Sequence, residues 1–446
     1  MPHVAPPRVR GASIAALRWS AMTTAPAAAP LVSRTVPLTD PGPLLSLLPR
    51  SGPVAWLRRG EGLVGWGEAL RVETTGPDRF AVAERAWRDL VSHAVVRDEV
   101  GLPGTGPVAF GSFAFSPRSA AGGVLVVPKV VVGRRGDRFW LTTVGAGAVV
   151  PTAELRLPTW ADAAAAPEEG HGGVRFVDGA RPPQDWARQV AGAIGEIAAG
   201  RLEKVVLARD VTAVCDRPVD PRTVLTRLAD RYPGCWSFSI DGLLGATPEM
   251  LVRREKGLVT SRVLAGTIRR TGDDARDLAL AARLARSSKD LEEHEYAVRS
   301  VADALAPHCT STNVPESPFV LHLANVMHLA TDVTGVLADG TSSLGLAAAL
   351  HPSAAVCGTP TAEAAQLIDA VEGMDRDRYA GPVGWMDAEG DGEWGIALRC
   401  ARVDDADPRR LRLFAGCGIV AGSDPAAELA ESDAKLLPMR QALTDA

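Results

Sequence analysis

The sequence predicts an α+β fold, because its strands and helices are grouped together rather than alternating strictly. Strand-like segments follow one another through residues 107–144, amphipathic helical segments occur at 80–96 and 273–305, and no regular strand–helix–strand repeat connects them. The chain has 446 residues, of which 46% are hydrophobic and 23% are charged. It can therefore bury a large core, either as one big domain or as two closely packed ones.

Composition argues against several classes of protein. The formal net charge of -5 leaves no basic surface for nucleic acid. No run approaches the 18 apolar residues that a membrane span needs. The six cysteines are scattered without a CxxC spacing, which argues against a zinc cluster or a disulfide framework and fits a reducing cytoplasm.

The first half of the chain is expected to be mainly antiparallel sheet. Residues 1–33, rich in Ala, Pro, Arg and Ser, predict a disordered tail. Residues 34–446 predict a single domain, in which 151–181 connect an N-terminal half (34–180) to a second half (181–443). The predicted elements of the first half are a short helix at 44–48, strands at 54–57, 63–66, 70–72, 107–115, 123–132 and 139–144, and a helix at 80–96.

The second half carries the stronger signals. Its predicted helices are 185–199, 221–231, 273–305, 361–372 and a final one that Asp424 caps. Its predicted strands are 204–211, 235–240, 243–245, 250–253, 258–262, 326–337, 381–387, 393–403 and 411–414.

The loop and helix that end the chain combine glycines with charge. Gly416 and Gly418 are positions where a backbone can pass close to a ligand. Glu428, Glu431 and Lys435 follow at i, i+3 and i+7, so they project from one helix face beside an apolar stripe. The alternative is an ordinary Glu431–Lys435 pair on a solvated helix. A glycine loop that leads to two acids and a lysine is more typical of a binding site.

Lysine is scarce, since only 5 of the 48 basic residues are lysine. Lys204 opens the strand 204–211, where the alternative is an edge lysine that reaches out to water. A lysine can accept a proton, whereas an arginine cannot. Lys204 is therefore a candidate for a chemical role rather than a structural one.

Glu249 follows Pro248 in a turn just before a strand. Flanking apolar residues would partly desolvate its carboxyl group and raise its pKa, which suits a general acid. An ordinary glutamate at the start of a strand is the alternative.

Four further polar residues lie at turns or in strands. Gly266 and Thr267 offer a backbone NH and a hydroxyl to an anion, although a plain turn would look the same. His328 is either a satisfied core histidine or a group that faces substrate. Arg399 is either a salt-bridge partner or a bidentate carboxylate clamp.

Acidic residues crowd the helix that contains 289–298. Their role could be limited to a favourable interaction with the helix dipole. However, Glu293 here and Glu431 near the C-terminus could also form an all-oxygen site for Mg²⁺. Together, these residues form the set needed to hold a small polycarboxylate on Mg²⁺ and perform acid–base chemistry on it.

Eight segments resemble, in order, the motifs of the chorismate-utilising enzymes, and they span about residues 180–440. They are KVVLARD, GATPEML, LAGTIRR, KDLEEHE, MHLATDVTG, HPSAAVCGTP, GEWGIALRCA and LFAGCGIV with the acidic helix behind it. The resemblance implies an anthranilate synthase component I-like fold, in which two packed antiparallel β-sheets are flanked by helices and form one chorismate-binding domain.

The resemblance also implies roles for individual residues. Lys204 would be the general base on water, and Glu249 the acid that protonates the departing C4 hydroxyl. Mg²⁺ would bind Glu293 and Glu431, with help from Glu428 and Glu292. The residues implied to bind chorismate are Gly266, Thr267, His328, Ala355, Tyr379, Arg399, Gly416, Gly418 and Lys435.

Three positions separate the members of this family. Ala265 stands where members that form a covalent adduct resemble one another in having lysine, and Lys204 fits members that activate water. Ala355 stands where salicylate synthases have threonine. The resemblance thus favours an isochorismate synthase, an isomerase that adds water at C2 of chorismate as the C4 hydroxyl leaves.

Two alternatives stay open from the sequence: a salicylate synthase and a non-catalytic paralogue that binds chorismate. A cytoplasmic monomer without a glutaminase subunit is expected. Its product would serve menaquinone or siderophore biosynthesis.

Overall fold

The computed structural model describes residues 30–147, 170–323 and 326–444. In chain order, its strands are β1 (Leu31–Leu38), β2 (Val54–Arg58), β3 (Glu61–Trp66), β4 (Leu70–Thr74), β5 (Val95–Asp98), β6 (Val108–Phe113), β7 (Gly123–Val127), β8 (Val130–Arg135), β9 (Arg138–Ala146), β10 (Val174–Asp178), β11 (Lys204–Cys215), β12 (Trp236–Ile240), β13 (Leu243–Thr247), β14 (Met250–Glu255), β15 (Leu258–Arg269), β16 (Cys309–Asn313), β17 (Phe319–His322), β18 (Val326–Leu337), β19 (Gly358–Thr359), β20 (Pro382–Asp387), β21 (Gly392–Ile396), β22 (Cys400–Val403) and β23 (Arg410–Ile419).

The α-helices of these ranges are α1 (Arg79–Ser92), α2 (Pro183–Ala198), α3 (Pro221–Arg231), α4 (Asp274–Leu284), α5 (Ser288–Leu305), α6 (Ser343–Leu350), α7 (Thr361–Val371) and α8 (Pro425–Thr444). The sequence predicts most of them within a few residues. The helix predicted at 273–305 is interrupted after Leu284, so it forms α4 and α5. None of the described helices is long and apolar enough to cross a membrane.

The strands form two sheets, to which both halves of the chain contribute. Across the described ranges, the first sheet has 13 strands in the order β10-β11-β23-β22-β13-β12-β2-β3-β8-β9-β1-β5, with β19 beside β11. The second has 10 strands in the order β16-β18-β15-β14-β21-β20-β6-β7-β4, with β17 beside β18. The strand pairs are antiparallel apart from the parallel pair of β1 and β5. The predicted α+β class with two antiparallel sheets is confirmed.

The two sheets pack against each other through large aromatic side chains. Trp56 and Phe238 of the first sheet share one buried cluster with Phe110 and Trp394 of the second. A Cβ at Gly395 would lie 2.9 Å from the Trp56 ring, so the sheets approach closely at this glycine. Burial of such aromatic surface is the main favourable term that holds two sheets together.

Helices cover the outer faces. Leu228 of α3 and Leu436 of α8 pack on Val211 and Leu413 of the first sheet. On the second sheet, Leu284 of α4 packs in a smaller cluster with residues of β18. This layering places the N-terminal half of α8 beside β23, where the charged helix face meets the glycine-containing strand.

Two sequence predictions in the N-terminal half were wrong. The tail was expected to extend to residue 33, but Leu31–Ser33 begin β1, whose alternating pattern pairs with β9. The helix predicted at 80–96 ends at Ser92, and Val95–Asp98 form β5 beside β1. Residues 1–29 of the expected tail lie outside the described residues, as do 151–169 of the expected connection.

Strand boundaries in the second half also differ from the prediction. The single strand predicted at 393–403 is β21 and β22, which belong to different sheets. Between them, Arg399 has a left-handed backbone with φ 49°, and the chain changes sheet there. The last strand was predicted to end at 414 and to lead into a loop. It continues to Ile419, so Gly416 and Gly418 lie within β23.

Candidate active site

A cavity of about 260 Å³ opens where β11 and β23 of the first sheet face β14, β15 and β18 of the second. The N-terminal parts of α5 and α8 and the loop before β19 complete its wall. Thirteen residues singled out from the sequence line it: Lys204, Glu249, Gly266, Thr267, His328, Ala355, Tyr379, Arg399, Gly416, Gly418, Glu428, Glu431 and Lys435.

Two predicted metal ligands on α5 stand apart from this set. Glu292 is exposed and is not part of the cavity wall, so the structure does not support it as a direct ligand, and a role through water stays a prediction. Asp290 does line the cavity, and Glu292 is two residues further on, about 200° around the helix. The side chain of Glu293 lies outside the described residues, so its role stays a prediction.

Glu249 is fixed at the start of β14. Its backbone NH donates to Thr247 Oγ1 at 3.3 Å, and its carbonyl oxygen accepts from the NH of Ile396 at 3.1 Å. Its residue surface is only 7% exposed. Burial raises the pKa of Glu249 to about 7, against the opposing effect of Lys204 and Arg399. A large fraction of this group is therefore protonated near neutral pH, as a general acid requires.

Lys204 is the first residue of β11, in register with Thr359 of β19. Lys204 and Val206 line the cavity, because alternate residues of a strand share one face. Arg209 lies on the opposite face, where it pairs with Asp433 at 2.5 Å and donates to Ser432 Oγ. Arg209 and Lys204 therefore lie on opposite faces of β11, and Arg209 does not face the cavity.

Arg399 and Tyr379 offer polar groups to one side of the cavity. Within the described part of the chain, the Arg399 guanidinium has no hydrogen bond or ion pair. The Tyr379 ring stacks on Phe414, with ring centroids 5.2 Å apart. A Cβ at Gly416 would lie 2.9 Å from Leu207 O and 3.2 Å from the Tyr379 hydroxyl, so glycine is needed at this position.

His328 presents an unpaired nitrogen to the cavity. Its Nδ1 lies 3.0 Å from Thr267 Oγ1, whereas its buried Nε2 has no hydrogen-bond partner among the described residues. Burial, with the charges of Arg399 and Lys435, lowers the pKa of His328 to about 3. The ring is therefore neutral near pH 7, and its Nε2 is suited to a polar group of a ligand.

Thr267 reaches His328 through a bulge in β15. The register of β15 against β18 shifts between Ala265 and Thr267, and Gly266 has φ +74°. This bulge directs Gly266 and Thr267 to the cavity. From the sequence alone, these two residues could be either a plain turn or an anion site.

Lys435 and Glu431 form a pair inside the cavity wall rather than on a solvated face. Their Nζ and Oε1 atoms are 2.7 Å apart, and Nζ also donates to the carbonyl of Gly416 at 2.9 Å. Burial opposes the charged form of both side chains, but their mutual attraction dominates. The pKa of Glu431 is therefore lowered and that of Lys435 raised.

Carboxylates gather near Glu431. A carboxylate oxygen of Glu431, one of Glu428 and the Cys417 Sγ lie within 4.8 Å of one another. Burial raises the pKa of the Cys417 thiol to about 12, so the sulfur stays protonated and offers little to a hard cation. Glu428, Glu431 and Asp290 supply oxygen donors to the same cavity, a set that fits Mg²⁺.

Sequence reasoning missed Asp290 and Ser423. Asp290 stands three residues before Glu293, on the same helix face, and this spacing could have identified it. Ser423 donates to Glu428 Oε1 at 2.7 Å and thereby orients that carboxylate. A serine in a turn carries no comparable sequence signal.

Comparisons with known proteins agree with this geometry. A family model described as "Chorismate binding enzyme" matches residues 54–444. The chain is 36% identical over 406 residues to the salicylate biosynthesis isochorismate synthase of Pseudomonas aeruginosa, covering 85% of this chain and 82% of the relative. It is 41% identical over 273 residues to an isochorismate synthase of Bacillus subtilis, covering 58% of this chain and 68% of the relative.

Solved structures give the same result for the fold. The menaquinone-specific isochorismate synthase of Escherichia coli superposes with a TM-score of 0.76 at 26% identity, covering 94% of this chain and 96% of that one. Anthranilate synthase component I of Streptococcus pneumoniae superposes with a TM-score of 0.70 at 19% identity, covering 86% and 92%. The fold predicted from the sequence is confirmed.

Proposed function

Because the chain belongs to the chorismate-binding enzyme family, we propose that it is an isochorismate synthase. The observation that carries the proposal is that a lysine and a carboxylic acid with a raised pKa, Lys204 and Glu249, line one cavity. Cations and carboxylates that suit a dicarboxylate bound through a metal line the same cavity.

The two carboxylates of chorismate would bind at different parts of the wall. The Arg399 guanidinium, which pairs with none of the described residues, and the Tyr379 hydroxyl suit the enolpyruvyl carboxylate, because hydrogen bonds between a charged donor and a carboxylate are strong. Lys435, Thr267 and the bulge at Gly266 suit the ring carboxylate. The unpaired Nε2 of His328 lies buried in the same wall.

Two proton transfers complete the reaction. Lys204 takes a proton from a water molecule while the oxygen of that water forms a bond to C2 of the ring. The ring double bonds shift, and the C4 hydroxyl leaves as water with a proton from Glu249. One water enters and one leaves, so chorismate and isochorismate are isomers.

Glu428, Glu431 and Asp290 are the described residues that would hold Mg²⁺. The bound ion would neutralise the ring carboxylate and withdraw electron density from the ring. Glu431 is ionised because Lys435 overcomes the effect of burial on its pKa. A bound cation would favour the same ionised form, so this ligand would not depend on Lys435 once Mg²⁺ is present.

Ala355 in the cavity wall favours release of isochorismate over further reaction to salicylate. Its methyl group has no hydroxyl that could hold the enolpyruvyl group in a pose for elimination. Since water rather than ammonia is the nucleophile, no glutaminase subunit is required, and we propose a cytoplasmic monomer. Light scattering should then give a mass near 46.8 kDa.

Product analysis tests the proposal. Purified protein is incubated with chorismate and Mg²⁺, and the products are separated by liquid chromatography. Isochorismate should form without salicylate or pyruvate. Salicylate with equimolar pyruvate would identify a salicylate synthase. No turnover together with tight chorismate binding would identify a non-catalytic paralogue.

A further inference from the structure

One edge of β11 has a gap between its partner strands. On this edge, β19 pairs with residues 204–205 and β10 pairs with residues 211–215. The backbone between them is buried and needs other hydrogen-bond partners. This gap lies two residues beyond Lys204.

The NH of Val206 donates to the carbonyl of Cys357 at 2.8 Å, and beyond it side chains fill the gap in place of a strand. The carbonyl of Val206 accepts from Arg376 Nη2 at 2.7 Å. The NH of Ala208 donates to Glu372 Oε1 at 2.7 Å, and the carbonyl of Ala208 accepts from Trp186 Nε1 at 3.0 Å. Three side chains from outside the sheet therefore fix the strand that carries Lys204.

Arg376 also bonds the segment before β19, which lines the cavity beside β11. Its Nη1 donates to the carbonyl of Val356 at 2.9 Å, next to Ala355. Its guanidinium lies 4.2 Å from the centre of the Phe115 ring, and its Nε donates to Glu372 at 2.9 Å. Arg376 and Glu372 are both 3% exposed, so neither group can exchange these partners for water.

We propose that Arg376, which Glu372 holds in place, is a positioning residue. It fixes the position of Lys204 relative to Ala355 in the cavity wall. Arg376 does not line the cavity, and it acts through the main-chain carbonyls of Val206 and Val356. The inference rests on the proposed function, in which Lys204 is the base. A shift of about 1 Å in such a group can cost about 10²-fold in rate.

The charged groups proposed to bind substrate lie on elements other than those of this pair, and Tyr379 contacts Arg376 through the main chain, which Arg376→Lys keeps. Arg399 follows β21, and Lys435 lies on α8. Loss of the Arg376 bonds should therefore slow the chemical step while substrate binding is largely kept.

Steady-state kinetics of Arg376→Lys test the proposal. Lysine keeps the charge but cannot bond Val206, Val356 and Glu372 together. We expect kcat to fall at least about tenfold, with the KM for chorismate within about threefold of wild type. The matched control is Arg254→Lys, which alters another largely buried pair, with Asp391 at 2.8 Å, outside the cavity. It should lower Tm but leave kcat unchanged.

Trp186→Phe is the second variant, because it keeps an aromatic core side chain and removes the indole NH that bonds Ala208, together with part of the buried ring. It should fold and lower kcat by a smaller factor than Arg376→Lys, again with little change in KM. Wild-type kcat in both variants, or an equal loss of kcat in Arg254→Lys, would overturn the proposal. Wild-type turnover tests the proposed function separately, since the positioning role is measured as the ratio of variant to wild-type kcat.

Discussion

Lys435 Nζ lies 2.7 Å from Glu431 Oε1 and 2.9 Å from the carbonyl oxygen of Gly416. The ammonium group therefore joins α8 to β23 at the point where both line the cavity. It neutralises a carboxylate that is also a candidate metal ligand. Lys435 and a bound cation would thus compete for Glu431, although both attract the substrate.

This competition predicts opposite effects of Lys435→Gln on two ligands. The KM for chorismate should rise about tenfold or more, because a charged hydrogen bond worth about 1.5–3 kcal/mol is lost. The Mg²⁺ concentration for half-maximal activity should stay the same or fall. Kinetics with each ligand varied in turn measure both effects, and Lys129→Gln, outside the cavity, is the control. A weaker apparent affinity for Mg²⁺ in Lys435→Gln would contradict the geometry.

The raised pKa of Glu249, about 7, predicts a pH dependence with a definite sign. The active acid is the protonated form, so Glu249 should give kcat an alkaline limb that falls with a slope approaching -1 above pH 7. This limb should be absent from the residual activity of Glu249→Gln. Glu249→Gln should lower kcat about 10²–10⁴-fold while chorismate still binds. The same alkaline limb in wild type and Glu249→Gln would exclude this role.

The pH dependence of stability gives a second measure of the raised pKa of Glu249. A pKa raised from the usual 4.5 means that the folded state holds this proton more tightly. The contribution of Glu249 to stability is therefore full below pH 4.5 and is lost as pH rises through 7. The Tm of Glu249→Gln minus the Tm of wild type should therefore increase as the pH rises from 5 to 8. A Tm difference independent of pH would contradict the burial argument.

Removal of the metal should silence the enzyme. EDTA should abolish turnover and excess Mg²⁺ should restore it. Glu431→Gln should raise the Mg²⁺ requirement at least about tenfold, because an ionised ligand is lost. Asp433→Asn is a matched control on the same helix, since Asp433 pairs with Arg209 away from the cavity. Full activity in EDTA would show that turnover does not require a metal ion.

Position 355 should control the product. Ala355→Thr places a hydroxyl in the cavity wall and should add salicylate and pyruvate to the isochorismate formed. Ala355→Val matches threonine in shape but lacks the hydroxyl, so it should form isochorismate alone. Chromatography of the products measures both variants. Equal product mixtures from the two variants would show that shape rather than hydrogen bonding matters here.

The sequence predicted most of the cavity wall because its residues belong to short motifs with a strong pattern. Lys204 at the start of a strand and Glu249 after a proline turn needed no knowledge of tertiary structure. Arg399 was placed at a strand end, but the change of sheet there was missed. An apolar run reads as one strand, and a left-handed backbone at a residue other than glycine leaves no mark in the sequence.

Other residues were missed because only tertiary contacts reveal them. Glu372 and Arg376 have the i,i+4 spacing of an ordinary surface pair. Their function follows from an unpaired edge of β11, which depends on where β10 and β19 end. Similarly, Asp290 and Glu292 are both acids on one helix, and only the orientation of α5 decides that Asp290 faces the cavity.

Reaction in ¹⁸O-labelled water tests the central claim, that Lys204 directs a water molecule to C2 while Glu249 assists departure of the C4 hydroxyl. Wild type should form isochorismate with one ¹⁸O atom, at the C2 hydroxyl. Lys204→Ala should still bind chorismate but should not form this labelled product. Isochorismate without ¹⁸O, or undiminished labelling by Lys204→Ala, would contradict it.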